Sequence, residues 1–250
     1  MDLRRLQRKT EGWHSPSLGQ DMPIVSYGHW GHPLLLFPTA AADFLEYERF
    51  GLVGAIAPAI EAGRVRVFSI NSINSESWMD RNLPVPEQAR RQALFSQYVE
   101  EEVAPYIRSA CQSADIRIAT TGASFGAFHA ANALFRRPDL FDAVIAMSGF
   151  YDLGPDYLHG YSDDNCYFNN PAWYISGLQG HALHLLQTAT KIHILTGQGD
   201  YEAPDASRHL SGILNSKGIP HFLDIWGHDV AHDWPWWLKM LPYSIDKMGW

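Results

Sequence analysis

Cysteine is scarce in this sequence: its 250 residues include only Cys111 and Cys166, and no C-x-x-C pair. Two thiols cannot build a disulfide scaffold or a thiolate metal site, so packing must hold the fold and a reducing cytoplasm is the expected compartment. Long apolar runs are missing too. None approaches the about 18 consecutive residues that a membrane span requires, so no spanning segment is expected. Basic side chains are outnumbered, 19 against 27 acidic ones, for a formal charge of −8. That balance repels phosphate backbones and argues against nucleic acid as a partner. Arg4, Arg5, Arg8 and Lys9 imitate the basic start of a signal peptide, but Glu11, Gly12, His14 and Ser15 stand where its apolar segment belongs, so no export signal is expected. With no internal repeat and no low-complexity linker, one domain over residues 1–250 is the economical reading.

Aromatic residues, by contrast, are plentiful: 9 Trp, 11 Tyr and 12 Phe. They cluster in the last quarter and around residues 150–175, where core packing is the ordinary reason and an apolar ligand pocket the less usual one.

Apolar runs alternate with amphipathic stretches. Residues 24–27 and 33–37, separated by Gly28-His29-Trp30-Gly31-His32, read as an antiparallel hairpin. A helix through residues 52–60, a buried strand at 65–70 and a polar loop to Pro86 follow. Leu94, Phe95, Tyr98, Val99, Val103, Tyr106 and Ile107 recur at helical spacing, with Glu100, Glu101 and Glu102 on the expected solvent side and Pro105 bending or restarting the helix. Strands are expected at 115–121, 143–147, 191–195 and 221–226. Helices are expected after Ser124, at 206–214 and from Asp233, a fitting N-cap. Residues 150–185 lack clean periodicity and form an irregular insertion, a candidate cap. Strands alternating with helices imply a mainly parallel sheet covered on both faces, with functional groups at the carboxyl ends of its strands.

The chemistry centres on Gly122-Ala123-Ser124-Phe125-Gly126. A serine between glycines, after a strand and before a small-residue helix, fits a nucleophile elbow, because bulkier flanking residues would collide across so sharp a turn. A serine hydroxyl needs a histidine base and an orienting carboxylate, here in the order Ser, acid, His. Asp200 lies just past the 191–195 strand and is favoured over Glu202 and Asp205. Two histidines, His228 and His232, fall between the last strand and the last helix, and His232 directly precedes the helical stripe. Their i, i+4 spacing could suggest zinc with Asp200 as a third ligand, but they sit in a Gly-containing loop without the glutamate of a helical H-E-x-x-H, so no metal is expected. For the oxyanion, the N–H of Phe125 is one expected donor. The loop after residues 33–37 supplies the second; Pro38 has no N–H, so Thr39 is chosen, with Ala40 as the alternative.

These segments resemble the esterase family of the α/β-hydrolase superfamily that includes S-formylglutathione hydrolases, feruloyl esterases, enterochelin esterases and mycolyltransferases. The likeness is carried by His14-Ser15-Pro16-Ser17-Leu18-Gly19, the Gly122–Gly126 segment, Met147-Ser148-Gly149, Thr196-Gly197-Gln198-Gly199-Asp200 and His232-Asp233-Trp234. It implies a three-layer α/β-hydrolase fold and matches Ser124, Asp200 and His232 to the triad, separating His232 from His228. A narrower likeness, to small bacterial esterases, runs through Asp164-Asn165-Cys166-Tyr167-Phe168-Asn169-Asn170-Pro171. Many relatives carry His-Gly in the oxyanion loop where this chain has Phe37-Pro38.

The resulting expectation is a serine hydrolase that cleaves small-molecule carboxylic esters or thioesters through an acyl-enzyme on Ser124, without a cofactor. An acyltransferase using the same intermediate is the alternative, and a non-catalytic binding relative the reading from another class. Residues 150–173 are the expected specificity wall. A homo-oligomer is neither required nor excluded.

Overall fold

The computed structural model describes residues 6–250, so Arg4 and Arg5 lie outside the described residues. Eight strands form one sheet: β1 (Arg8–Ser15), β2 (Gln20–Tyr27), β3 (His32–Phe37), β4 (Val65–Ile70), β5 (Ile118–Ala123), β6 (Phe141–Met147), β7 (Lys191–Thr196) and β8 (Phe222–Ile225). Their order across the sheet is β1-β2-β4-β3-β5-β6-β7-β8. The pairings β1–β2 and β2–β4 are antiparallel; all others are parallel.

Successive side chains of a strand point to opposite faces, and β3 uses this to join two cores. Leu34 and Leu36 pack with Val65, Val67, Val53 and the helix Trp234–Met248. Leu35 and Phe37 pack on the other face, among residues of the helices Val85–Tyr98 and Phe125–Arg136. This is the expected three-layer α/β-hydrolase arrangement.

The antiparallel hairpin is present but its strands differ from those expected. It joins β1 to β2, while β3 lies between β4 and β5, parallel to both. An apolar run such as residues 34–37 is buried on both faces only in the sheet centre, which is where β3 sits. The turn-like residues 28–32 therefore open a crossover past β4 instead of a tight reversal.

Two further local differences have physical causes. Pro105 cannot donate to the preceding turn, and the helix meets this with a wider π turn at Val99–Val103 before continuing as Ala104–Ala110. The acidic run there is not simply a solvated face. Glu100 pairs with Arg136 at 2.9 Å, and Glu102 accepts from Trp13 Nε1, Ser15 Oγ and Ser17 N–H, fastening the hairpin to the helix layer. Residues 150–185 consist of short turns, Gly154–Leu158, Asp164–Tyr167 and Pro171–Tyr174, followed by the helix Gly180–Thr188.

Candidate active site

Ser124 stands between the end of β5 and the first residue of the helix Phe125–Arg136, with φ 56° and ψ −123°. A non-glycine residue in that region costs about 1–3 kcal/mol, which the surrounding packing must offset. Its N–H donates to Met147 O at 2.9 Å and its carbonyl accepts from Ala127 N–H at 3.0 Å, so both sides of the turn are tied down. The flanking glycines are sterically required. A Cβ on Gly122 would fall 2.3 Å from the Gly126 carbonyl carbon, and one on Gly126 would fall 2.1 Å from Phe37 O. The second contact also places the start of this helix directly against the end of β3. The Ser124 side is only half-buried, leaving the hydroxyl within reach of a ligand.

At the neighbouring strand ends, Glu202 Oε2 lies 3.7 Å from His232 Nδ1, with the Glu202 side chain 1% exposed. Two hydroxyls fix this carboxylate: Ser148 Oγ donates to Oε1 at 2.5 Å and Thr196 Oγ1 donates to Oε2 at 3.0 Å, while Trp237 Nε1 donates to Ser148 Oγ at 3.0 Å and so holds the first of them. Burial alone would raise the Glu202 pKa, but hydrogen bonds from His232, Ser148, Thr196 and the Gly197 backbone outweigh it and hold the group below the ordinary glutamate value. The edge of the His232 ring rests on Trp237, centroids 5.1 Å apart and planes at 85°.

Asp200, the carboxylate expected beside the base, does not reach His232 with its side chain. It is exposed and contributes only its backbone carbonyl, which accepts from His232 N–H at 2.9 Å. The cause is local: Glu202 N–H closes a turn onto Gly199 O, and Tyr201 within it takes a left-handed conformation, φ 62°. The turn sends residue 200 outward and residue 202 inward. Asp205 is exposed and pairs with Arg208, and His228 is exposed in the loop before His232.

The loop after β3 also differs from expectation. Thr39 N–H donates to Glu46 Oε2 at 2.7 Å and Thr39 Oγ1 to Glu46 Oε1 at 2.6 Å, so the N–H chosen for the oxyanion is already committed. Glu46 is 6% exposed, and burial raises its pKa against the lowering effect of these two bonds. Thr39 O accepts from Ala42 N–H at 3.0 Å, which directs the trans-related N–H of Ala40 the opposite way; Ala40 itself has φ 37°. Among the described residues that N–H has no partner within the protein. Tyr47 closes the join between this loop and the serine turn, donating to Phe37 O at 2.7 Å and accepting from Ala123 N–H at 3.0 Å. Neither Glu46 nor Tyr47 carries a sequence signal, since both fall in an unremarked stretch between two predicted elements. Ser148 was visible only as part of Met147-Ser148-Gly149.

Two aromatic groups adjoin these segments. Phe150 and Tyr157 pack on the Phe125 ring, with centroids at 4.9 and 5.6 Å, while Phe50 stacks on Trp234 at 4.3 Å. An accessible hydroxyl on a strained turn, an imidazole facing a buried carboxylate, and unpaired backbone N–H groups nearby are the parts that acyl transfer requires.

Comparison with known proteins bears on the fold and the family. No curated protein sequence matches the chain. A ferulic acid esterase structure matches with a TM-score of 0.74 at 17% identity, covering 96% of each chain. An S-formylglutathione hydrolase from Staphylococcus aureus matches at 0.73 and 16%, covering 98% of this chain and 96% of that one. A fluorophosphonate-binding serine hydrolase from the same organism matches at 0.73 and 14%, covering 97% and 98%. At these identities the structures speak for the shared fold. The family is given by sequence: the model described as "Putative esterase" matches residues 45–245, most of the chain, and the protein belongs to that esterase family.

Proposed function

We propose that this protein hydrolyses small carboxylic esters, thioesters included, with Ser124 as nucleophile, His232 as general base and acid, and Glu202, in place of Asp200, as the orienting carboxylate. Ser124 Oγ attacks the ester carbonyl while its proton passes to His232 Nε2. Phe125 N–H and Ala40 N–H hold the resulting oxyanion, Ala40 taking the part first assigned to Thr39. Collapse expels the alcohol, which takes the proton from His232. Water then attacks the acyl-enzyme by the same route and restores Ser124. Glu202 stabilises the charged imidazole through Nδ1. At 3.7 Å the pair is at ion-pair distance, and such contacts tighten when substrate binds.

The observation that carries this reading is the Ser124 backbone itself, held at φ 56° by glycines that tolerate no Cβ. Two unpaired cysteines support a reducing, cytoplasmic setting. The test is labelling with a fluorophosphonate probe. Wild type should label and hydrolyse p-nitrophenyl acetate, and Ser124→Ala should do neither; equal labelling of the two would remove Ser124 from the role. Adding a primary alcohol and analysing products separates hydrolysis from acyl transfer.

A further inference from the structure

His129 is a buried histidine that the proposed chemistry does not use. It lies on the helix that begins at Ser124, it is 3% exposed, and its Nε2 is 2.9 Å from Asn74 Oδ1. Asn74, fully buried, in turn donates from Nδ2 to the carbonyl of Ala40. The donor and acceptor assignments follow in order. A backbone carbonyl only accepts, so Asn74 must present its NH₂ to Ala40 and its Oδ1 to His129; an amide oxygen only accepts, so His129 must carry its proton on Nε2. Burial pushes the His129 pKa down to about 3, so the ring stays neutral and cannot place an unpaired charge in this apolar setting.

The ring makes a second kind of connection. It stacks on Phe125 with centroids 5.3 Å apart and planes at 26°, and on Phe37 at 6.1 Å and 30°. Phe125 carries the first oxyanion donor, and Phe37 is where β3 ends and the loop with the second donor begins. Ser72 Oγ also donates to Ala40 O, at 3.1 Å, and Ser72 N–H to Ala42 O, so the segment after β4 clasps the loop after β3. Among the described residues, only the Asn74 bond continues from there to the serine helix.

We propose that His129, acting through Asn74, is a positioning residue that pins Ala40 by its carbonyl, on the far side of the residue from its N–H, and so keeps that N–H in register with the Phe125 N–H and the two donors converging on one oxyanion. This rests on the esterase reading above. The oxyanion donors must sit about 2.7–3.1 Å from where charge develops, and deleting one outright costs about 10²–10³ in rate. Loosening one through its support should cost less.

The test uses the full-length protein with p-nitrophenyl acetate and a trifluoromethyl ketone, whose hemiketal on Ser124 bears an oxyanion. His129→Phe keeps a ring in the aromatic cluster and removes the N–H donor. Asn74→Asp keeps the shape and replaces the donor to Ala40 by a carboxylate oxygen. Both should lower kcat by about 10- to 100-fold with KM within about threefold, and should raise the ketone Ki in parallel. His129→Gln, which still offers a donor, should recover most of the rate. Unchanged kcat in either of the first two variants, or a fall in kcat with an unchanged ketone Ki, overturns the proposal. If His129→Phe does not fold, Asn74→Asp and His129→Gln decide the matter by the same comparison. Should wild type itself neither label nor hydrolyse, the esterase reading fails and takes this inference with it; an active wild type with unaffected variants removes this inference alone.

Discussion

Glu202 Oε2 faces His232 Nδ1 at 3.7 Å from a side chain that is 1% exposed. Two residues upstream, Asp200 meets the same histidine only through its backbone. The two carboxylates therefore have separable roles. Glu202→Ala should reduce kcat/KM for p-nitrophenyl acetate by roughly 10²–10⁴, the range known for losing an orienting acid. Asp200→Ala, which leaves its carbonyl in place, should stay within about threefold of wild type. The reverse ranking would restore Asp200 to the triad.

The pH dependence of stability follows from the same group. Hydrogen bonds hold the Glu202 pKa below its ordinary value of about 4.3 despite burial. Its stabilising contribution is accordingly complete above that value and lost as pH falls through the lower folded one. Urea titrations between pH 3 and 7 should find less acid destabilisation in Glu202→Gln than in wild type. Glu202 and His129 are both shifted downward, so neither should add a second proton to the acid limb of kcat/KM; a two-proton limb would contradict this.

Gly126 and Gly54 form a matched pair for steric tests. A methyl on Gly126 meets the Phe37 and Pro38 carbonyl oxygens at 2.1 and 2.8 Å, whereas one on Gly54, in the short helix Leu52–Ala55, meets nothing within 4 Å. Gly126→Ala should destabilise by about 1–3 kcal/mol and cut activity at least tenfold, since backbone must shift to make room. Gly54→Ala should stabilise by about 0.5–1 kcal/mol with activity unchanged. Denaturant midpoints and initial rates read out both.

Tyr157 packs on the Phe125 ring beside the proposed nucleophile. Tyr157→Ala should widen that side and raise the ratio of kcat/KM for octanoate over acetate p-nitrophenyl esters by about tenfold, the scale of a lost pocket contact. An unchanged ratio would mean that the acyl chain lies elsewhere, toward Phe50 and Trp234.

Much of this arrangement could be read from the sequence because it rests on local rules. The apolar run at 34–37, the glycines about Ser124 and the Asp233 cap each carry their structural reason in their own residue type. What could not be read depends on long-range neighbours or on unmarked backbone. That β3 pairs with β4 and β5 is a decision of the whole sheet, invisible from the turn residues beside it. That Glu202 and not the Asp200 side chain faces His232 turns on Tyr201 being left-handed at φ 62°, and the course of the loop after β3 turns on Ala40 at φ 37°. Neither Tyr nor Ala advertises that conformation, as a glycine or asparagine would. The bond from Thr39 N–H to a buried glutamate seven residues on is equally invisible in the sequence.

The contact between Gly126 and the end of β3 has a wider consequence. Because the serine turn and the facing loop touch backbone to backbone there, the nucleophile and oxyanion donors proposed above would form one stiff unit whose spacing leaves little scope for variation. The walls around it come from elsewhere, from the turns between residues 150 and 174 and from Phe50 with Trp234. On the proposed reading, substrate range would be retuned by exchanging peripheral rings while the reactive centre is left untouched, a division of labour that would let one scaffold serve esters of very different size.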